Sequence, residues 1–110
     1  ADIFNCSPNS SFEFVTMVDV AGAAGKSCWH GSGVDLGIMD LSYIHVCAVP
    51  EAATVPHDIL STPLHVDDFV VQMPDREGER ISVPLGPGLG GELDMDAVKE
   101  YLLSSGEVTS

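Results

Sequence analysis

The sequence predicts an α/β fold, with short parallel strands alternating with helices around one small core. Three observations predict it. Apolar runs of strand length (1–6, 26–30 and 52–55) alternate with stretches that are apolar at helical spacing. A strand–helix–strand order with short connections implies a right-handed crossover and parallel pairing. The corner Cys28-Trp29-His30-Gly31-Ser32-Gly33-Val34-Asp35 gathers polar groups capable of chemistry where a strand gives way to a helix. In α/β proteins that edge is where ligands bind.

The first run carries Ile3 and Phe4 and leaves into Ser7-Pro8-Asn9-Ser10, a turn signal, so it reads as a buried strand. Ser10 or Ser11 supplies a helix cap, and Glu13 suits the dipole of the first turn. Phe14, Val15, Val18 and Ala21 form one stripe, and Gly25 stops the helix. Lys26 to His30 is the second strand and Gly31 to Gly33 the turn. Val34 to Ala48 follows as a helix apolar on most sides, with Leu36, Met39, Tyr43, Val46 and Cys47 on one face and Pro50 closing it. Ala52 to Val55 is a third short strand, ended by Pro56-His57-Asp58, and Ile59 to Asp68 is a loop. Phe69-Val70-Val71 and Ile81-Ser82-Val83 flank an acidic, glycine-containing turn and predict a hairpin. Gly86 to Gly91 is a glycine-rich loop. Asp94 caps a last helix over about Met95 to Leu103. Two or three parallel strands leave open edges and uncovered faces, so the pattern implies further strands of the same sheet in another chain or segment.

Composition narrows the function classes. The 110 residues suit one small domain, and 45% hydrophobic with 19% charged residues is ordinary for a chain that buries a core. Seventeen acidic residues against 4 basic ones give a net charge of -13, which disfavours nucleic acid and anionic membrane surfaces as partners. No run of ~18 apolar residues is present, so no membrane span is expected. Three widely spaced cysteines, Cys6, Cys28 and Cys47, form no disulfide framework and read as free thiols of a cytoplasmic protein. The chain opens on Ala1-Asp2 rather than Met, as a processed protein or one piece of a longer one would.

Each chemical motif has a bland reading beside it. Gly86-Pro87-Gly88-Leu89-Gly90-Gly91 matches the letters of a dinucleotide loop, but it follows a hairpin strand and its helix starts only after Asp94, so a structural loop is expected. Gly31-Ser32-Gly33 does not fit the nucleophile-elbow pattern; Ser32 either caps the turn or does chemistry. His30 at a strand end is a candidate general acid or base, or a hydrogen-bonded structural residue. Asp35 caps the helix or serves as an acid. If the three strands are parallel, the ends Asn5-Cys6-Ser7, Trp29-His30 and His57-Asp58 line one pocket.

The tail Val83-Pro84-Leu85-Gly86-Pro87-Gly88-Leu89-Gly90-Gly91-Glu92-Leu93-Asp94 resembles the closing segment of the enolase superfamily, in its mandelate racemase and muconate lactonizing enzyme branch. Gly31-Ser32-Gly33-Val34-Asp35 resembles that branch's Gly-Ser-x-x-acid motif after the seventh barrel strand, Ala1-Asp2-Ile3-Phe4-Asn5 the start of its sixth, and Ala23-Ala24-Gly25 the end of the helix between them. The resemblance implies the C-terminal part of a modified TIM (β/α) barrel, strands six to eight plus a closing hairpin and helix. Residues 1–68 would be the last βα units of the catalytic barrel. Residues 69–110 would be the hairpin, glycine-rich loop and C-terminal helix, packing back on a capping domain.

The resemblance also implies a magnesium-dependent (Mg2+) lyase or isomerase of dehydratase, epimerase or cycloisomerase type, which removes the proton alpha to a carboxylate, with the metal stabilising the enolate. The metal ligands would lie outside this segment. The lysine that the muconate lactonizing type carries after its sixth strand has no counterpart in Cys6-Ser7-Pro8-Asn9-Ser10-Ser11. No aspartate fits the two-base dyad of the racemase type, so a one-base reaction is implied. The resulting site has His30 and Asp35 as catalytic residues and Asn5, Cys6, Trp29, Gly31, Ser32 and Asp58 around a small carboxylate substrate. Its partners are the rest of the barrel and its capping domain, in a homo-oligomer. The alternatives are a non-catalytic α/β binding domain and a family member that has lost catalysis.

Overall fold

A computed structural model describes residues 1–59, 62–103 and 105–106. Its first half is a βαβα unit. Strand β1 (Ile3–Cys6) and strand β2 (Ser27–His30) pair in parallel, with Asn5 opposite Trp29 and Cys6 opposite His30. Helix α1 (Ser11–Ala23) connects them. Its cap is Ser10, whose side chain accepts the Glu13 N–H, while the Glu13 carboxylate reaches back to the Asn9 N–H at 2.8 Å. The first bond satisfies an otherwise orphaned first-turn donor, the second ties the residue before the cap to that turn, and together they fix where the helix starts. Gly25 leaves it at φ 68°, with Lys26 N–H returning to the Ala21 carbonyl.

The core lies between the sheet and the helices. Phe14, Val18 and Ala21 of α1 meet Cys6 and Cys28 of the strands and Tyr43 and Val46 of helix α2 (Gly37–Cys47). Side chains alternate across a strand. Cys6, Cys28 and His30 therefore share the helix-covered face, and Asn5, Trp29 and Gly31 share the other. The Cys6 and Cys28 sulfurs stand 3.2 Å apart in this layer, and burial first, then contact with the Cys28 thiol, pushes the Cys6 thiol up to about 11. Cys6, expected to touch substrate, is instead a buried core thiol.

Three predicted elements are corrected. Helix α2 starts at Gly37 rather than Val34, because Val34 sits at φ 64° and cannot continue a helix, and Leu36 at the cap offers no acceptor. Segment 52–55 runs beside β2 without forming a strand. Cys28 N–H reaches the Ala52 carbonyl at 3.4 Å and Asp58 N–H the His30 carbonyl at 2.9 Å, but a regular parallel ladder would bring residue 56 to that carbonyl, and the two extra residues on this side break it. Pro56 lacks an N–H and restricts Val55, which disfavours regular pairing there.

The hairpin is the third. It forms later than predicted, as β3 (Arg76–Glu77) against β4 (Arg80–Ile81), with Gly78 at φ 63° in its turn. Phe69–Val71 pairs elsewhere: Val70 bridges antiparallel to Leu93, Val71 N–H reaches the Glu92 carbonyl, and Asp94 N–H the Phe69 carbonyl. Helix α3 (Met95–Glu100) is capped by Asp94 as predicted but stops at Tyr101, short of Leu103. The glycine-rich loop is structural. Its Leu89 carbonyl bonds the His45 ring at 3.1 Å, and Gly91 lies against Leu41.

Candidate functional site

The site is built where β1 and β2 end. On the face away from the helices, the Asn5 amide lies so close to Gly31 that a Cβ there would stand 2.4 Å from Asn5 Oδ1 and 3.0 Å from Ser7 Oγ. Any side chain at 31 would displace both groups. Ser7 Oγ donates to Asn5 Oδ1 at 3.4 Å, and Gly31 N–H donates to the Cys6 carbonyl at 3.1 Å, tying the two strand ends together. Trp29, half-buried, is the register partner of Asn5. This patch offers amide and hydroxyl donors beside an aromatic ring, a combination suited to holding an oxygen-rich ligand.

The corner beyond Gly31 holds itself open with its own side chains. Ser32 Oγ accepts the Val34 N–H at 3.0 Å and Asp35 Oδ2 the Gly33 N–H at 3.0 Å. Both motifs compete with helix formation, which explains the late start of α2. Asp35, predicted as cap or acid, is therefore a turn-forming acceptor, and the cap at Gly37 comes from Asp68 (2.9 and 3.0 Å).

His30 lies on the opposite face, 1% exposed. Its ring stands 5.0 Å from Phe14 and 3.9 Å from Tyr43, centroid to centroid, and neither ring nitrogen has a hydrogen-bond partner among the described residues. Burial lowers its pKa, as does the His57 charge, while Asp35 and Asp58 oppose them. The ring is neutral and enclosed, so it does not meet a ligand bound at Asn5 and Trp29. The structure places the predicted catalytic His30 in the layer between strands and helices, its ring against Phe14 and Tyr43 rather than on the Asn5–Trp29 face.

His57 Nδ1 accepts the His30 backbone N–H at 2.9 Å, so its proton sits on Nε2, and burial lowers its pKa too. Asp58 lies with His57, Ile44, Cys47, Arg76 and Ile81 around a cleft of about 430 Å3 between the end of α2, segment 56–59 and the hairpin. That cleft does not include Asn5, Trp29 or Gly31, so Asp58 and the other predicted binding residues are not brought to one pocket. Burial pushes the Cys47 thiol up to about 12.

Sequence reasoning missed four contributors. Tyr43 was placed on an apolar face, but it stacks on His30, and its pKa is raised by burial and by the Asp35 and Asp40 charges. Asp40 is fully buried in the first turn of α2. Asp68 and His65, 31 and 30 residues from their partners, reach the corner from the loop, His65 Nε2 donating to the Asp35 carbonyl at 3.0 Å. No local pattern carries such contacts. Among the described residues no three His, Cys, Asp or Glu side chains converge as a metal site. These residues therefore do not themselves fit a magnesium ion. No helix among them is long and apolar enough to cross a membrane.

No family model matches the chain. It is 31% identical over 86 residues to muconate cycloisomerase 1 of Rhodococcus opacus, an alignment covering 77% of this chain and 23% of that protein. The crystal structure of the muconate lactonizing enzyme from Klebsiella pneumoniae matches 93% of this chain and 36% of its own, with a TM-score of 0.66 at 18% identity, a likeness of fold. The chain thus spans about a quarter of the curated relative it matches.

Proposed function

We propose, from the premise that this chain is a fragment related to the muconate lactonizing branch of the enolase superfamily, that it forms the last βα units of a barrel enzyme acting alpha to a carboxylate. In this reading the chain supplies one wall of the substrate site. Asn5, its Oδ1 accepting the Ser7 hydroxyl, donates its amide N–H to a small carboxylate, Trp29 packs on the hydrocarbon part, and Gly31 leaves the space. Ser32 and Asp35 shape the corner beside it. The observation that carries the reading is the pairing of Asn5 with Trp29 at the carboxyl end of the parallel strands, on the face the helices leave open.

With His30 turned to the helices and Asp35 accepting the Gly33 N–H, this reading takes the proton-abstracting group and the carboxylates for magnesium from strands outside the segment. The remaining barrel strands, the capping domain and further copies of the enzyme are the partners this reading requires, and a cytoplasmic setting suits three free thiols.

A chimera tests it, with this chain replacing the corresponding segment of the Rhodococcus opacus enzyme. The reading expects metal-dependent lactonisation of muconate, or exchange of the proton alpha to a carboxylate across a panel of acids, abolished by chelator and weakened by Asn5→Ala. A folded chimera inert to every acid contradicts it. That result would favour the second reading, a relative without catalysis, for which the lysine-free stretch Cys6–Ser11 speaks.

A further inference from the structure

The corner holds a conformation it does not favour. Val34 stands at φ 64°, where a β-branched side chain is a genuine outlier. Such strain persists only when surrounding contacts fix it, and it concentrates at functional sites. The Ser32 and Asp35 turns are local and reversible. Two contacts from distant sequence close over them. His65 Nε2 donates to the Asp35 carbonyl, and both Asp68 oxygens accept the Gly37 N–H at 2.9 and 3.0 Å.

Gly37 is buried, and a Cβ on it would stand 2.9 Å from either Asp68 oxygen. Glycine at 37 is what lets the carboxylate reach the backbone. Asp68 is itself fixed, since its Oδ1 also takes the Phe69 N–H at 2.6 Å. Its neighbours are anchored on the C-terminal side: Asp67 accepts the Tyr101 hydroxyl, and Phe69 to Val71 pair with residues 92–94. The adjacent acids Asp67 and Asp68 thus grip the C-terminal segment and the corner, respectively.

We propose that Asp68, with His65, is a latch that holds the Gly31–Gly37 corner in its strained shape, and that it acts as a positioning residue for the ligand wall beside it. The positioning role rests on the reading of that wall as a substrate site; the latch does not. A carboxylate at the first turn also complements the helix dipole, but the contact that matters here is the bond to a donor with no other acceptor, since Leu36 provides none.

The test uses the full chain, with amide exchange at Gly37 and the Val34 amide–α-proton coupling constant as readouts. Asp68→Ala is expected to speed Gly37 exchange on the order of tenfold, the loss of one cap, and to return Val34 to a negative-φ coupling while helix content by circular dichroism stays. Asp68→Asn keeps one acceptor and is expected to restore the coupling and part of the protection. Gly37→Ala, which displaces the carboxylate sterically, should reproduce Asp68→Ala. If Asp68→Ala unfolds the chain, the Asp68→Asn and His65→Ala variants read the same amides.

Exchange and coupling within twofold of the unaltered chain in all of these variants would overturn the latch. So would an equal change from Asp94→Ala, which removes a cap elsewhere. In the chimera, Asp68→Ala is expected to raise KM for muconate more than it lowers kcat, with Asp68→Asn restoring most of the KM; an unchanged KM in Asp68→Ala overturns the positioning role. Inactivity of the unaltered chimera defeats the substrate reading and with it the positioning role, while exchange and coupling still decide the latch.

Discussion

Phe14 and Val18 in α1 are fully buried, whereas Leu85 and Leu103, in the C-terminal segment, are 97% and 100% exposed. The βαβα unit of residues 3–47 buries Phe14, Val18, Ala21, Tyr43 and Val46 in its own core. Residues 69–103 are held by single bridges, caps and a two-residue hairpin, with no buried side chain in α3. The comparison teaches where the chain's own stability comes from. Burial gives about 25 cal/mol per Å2 of apolar surface; the first region holds nearly all of that source, and the second has Val70. An arc of a barrel with a closing segment that docks on another domain would divide in this way.

The largest expected effect lies in the first region. Phe14→Ala removes a fully buried ring from the centre of the core and should cost about 3–5 kcal/mol in urea unfolding; a loss below about 1 kcal/mol would erase the contrast between the regions. His30 sharpens it. His30→Leu removes two buried, unpartnered nitrogens and should be neutral or stabilising near neutral pH, where a hydrogen-bonded structural histidine would cost stability.

The same group sets a pH dependence. The folded pKa values of His30 and His57 lie below the ordinary 6.5, chiefly through burial. The unfolded chain therefore binds more protons in acid, and stability that is complete above pH 6.5 is lost as the pH falls through that value toward the lowered folded ones. Thermal melts from pH 8 to 5 should show this loss, and His30→Leu should flatten it.

Gly31→Ala places a Cβ on Asn5 and Ser7. Its effect on folding should be about 1–3 kcal/mol, with a larger proportional loss of muconate turnover in the chimera. The smallest effect belongs to the second region. Asp94→Ala should fray α3, seen in the exchange of Asp96 and Ala97, yet leave the global unfolding midpoint unchanged, because nothing buried depends on that helix.

What the sequence disclosed follows the same division. Ser10, Glu13, the 14–15–18–21 stripe and Gly25 are local signals, and the structure forms α1 from them. Lys26 to His30 became β2 because its Cys28 and His30 repeat with period two. The start of α2 was misread because apolar periodicity ran back to Val34, while the decisive features were two Asx/Ser-type turns and an acceptor 31 residues away. The hairpin was displaced because Val70 found Leu93 as its partner, a long-range choice that β propensity does not encode. The candidate site was half legible. Asn5, Trp29 and Gly31 come together at one strand edge. His30 and Cys6 were assigned without the face on which they fall, which depends on where the helices pack.

The emission of Trp29, the one tryptophan in the chain, tests the central claim most directly. It is half-buried on the face that the helices leave open. If that face is the inner wall of a barrel, emission should move to shorter wavelength and acrylamide quenching should fall when the chain is joined to the upstream strands in the chimera, with further quenching on muconate addition. Emission and quenching equal to those of the chain alone, in a folded chimera, would contradict the account.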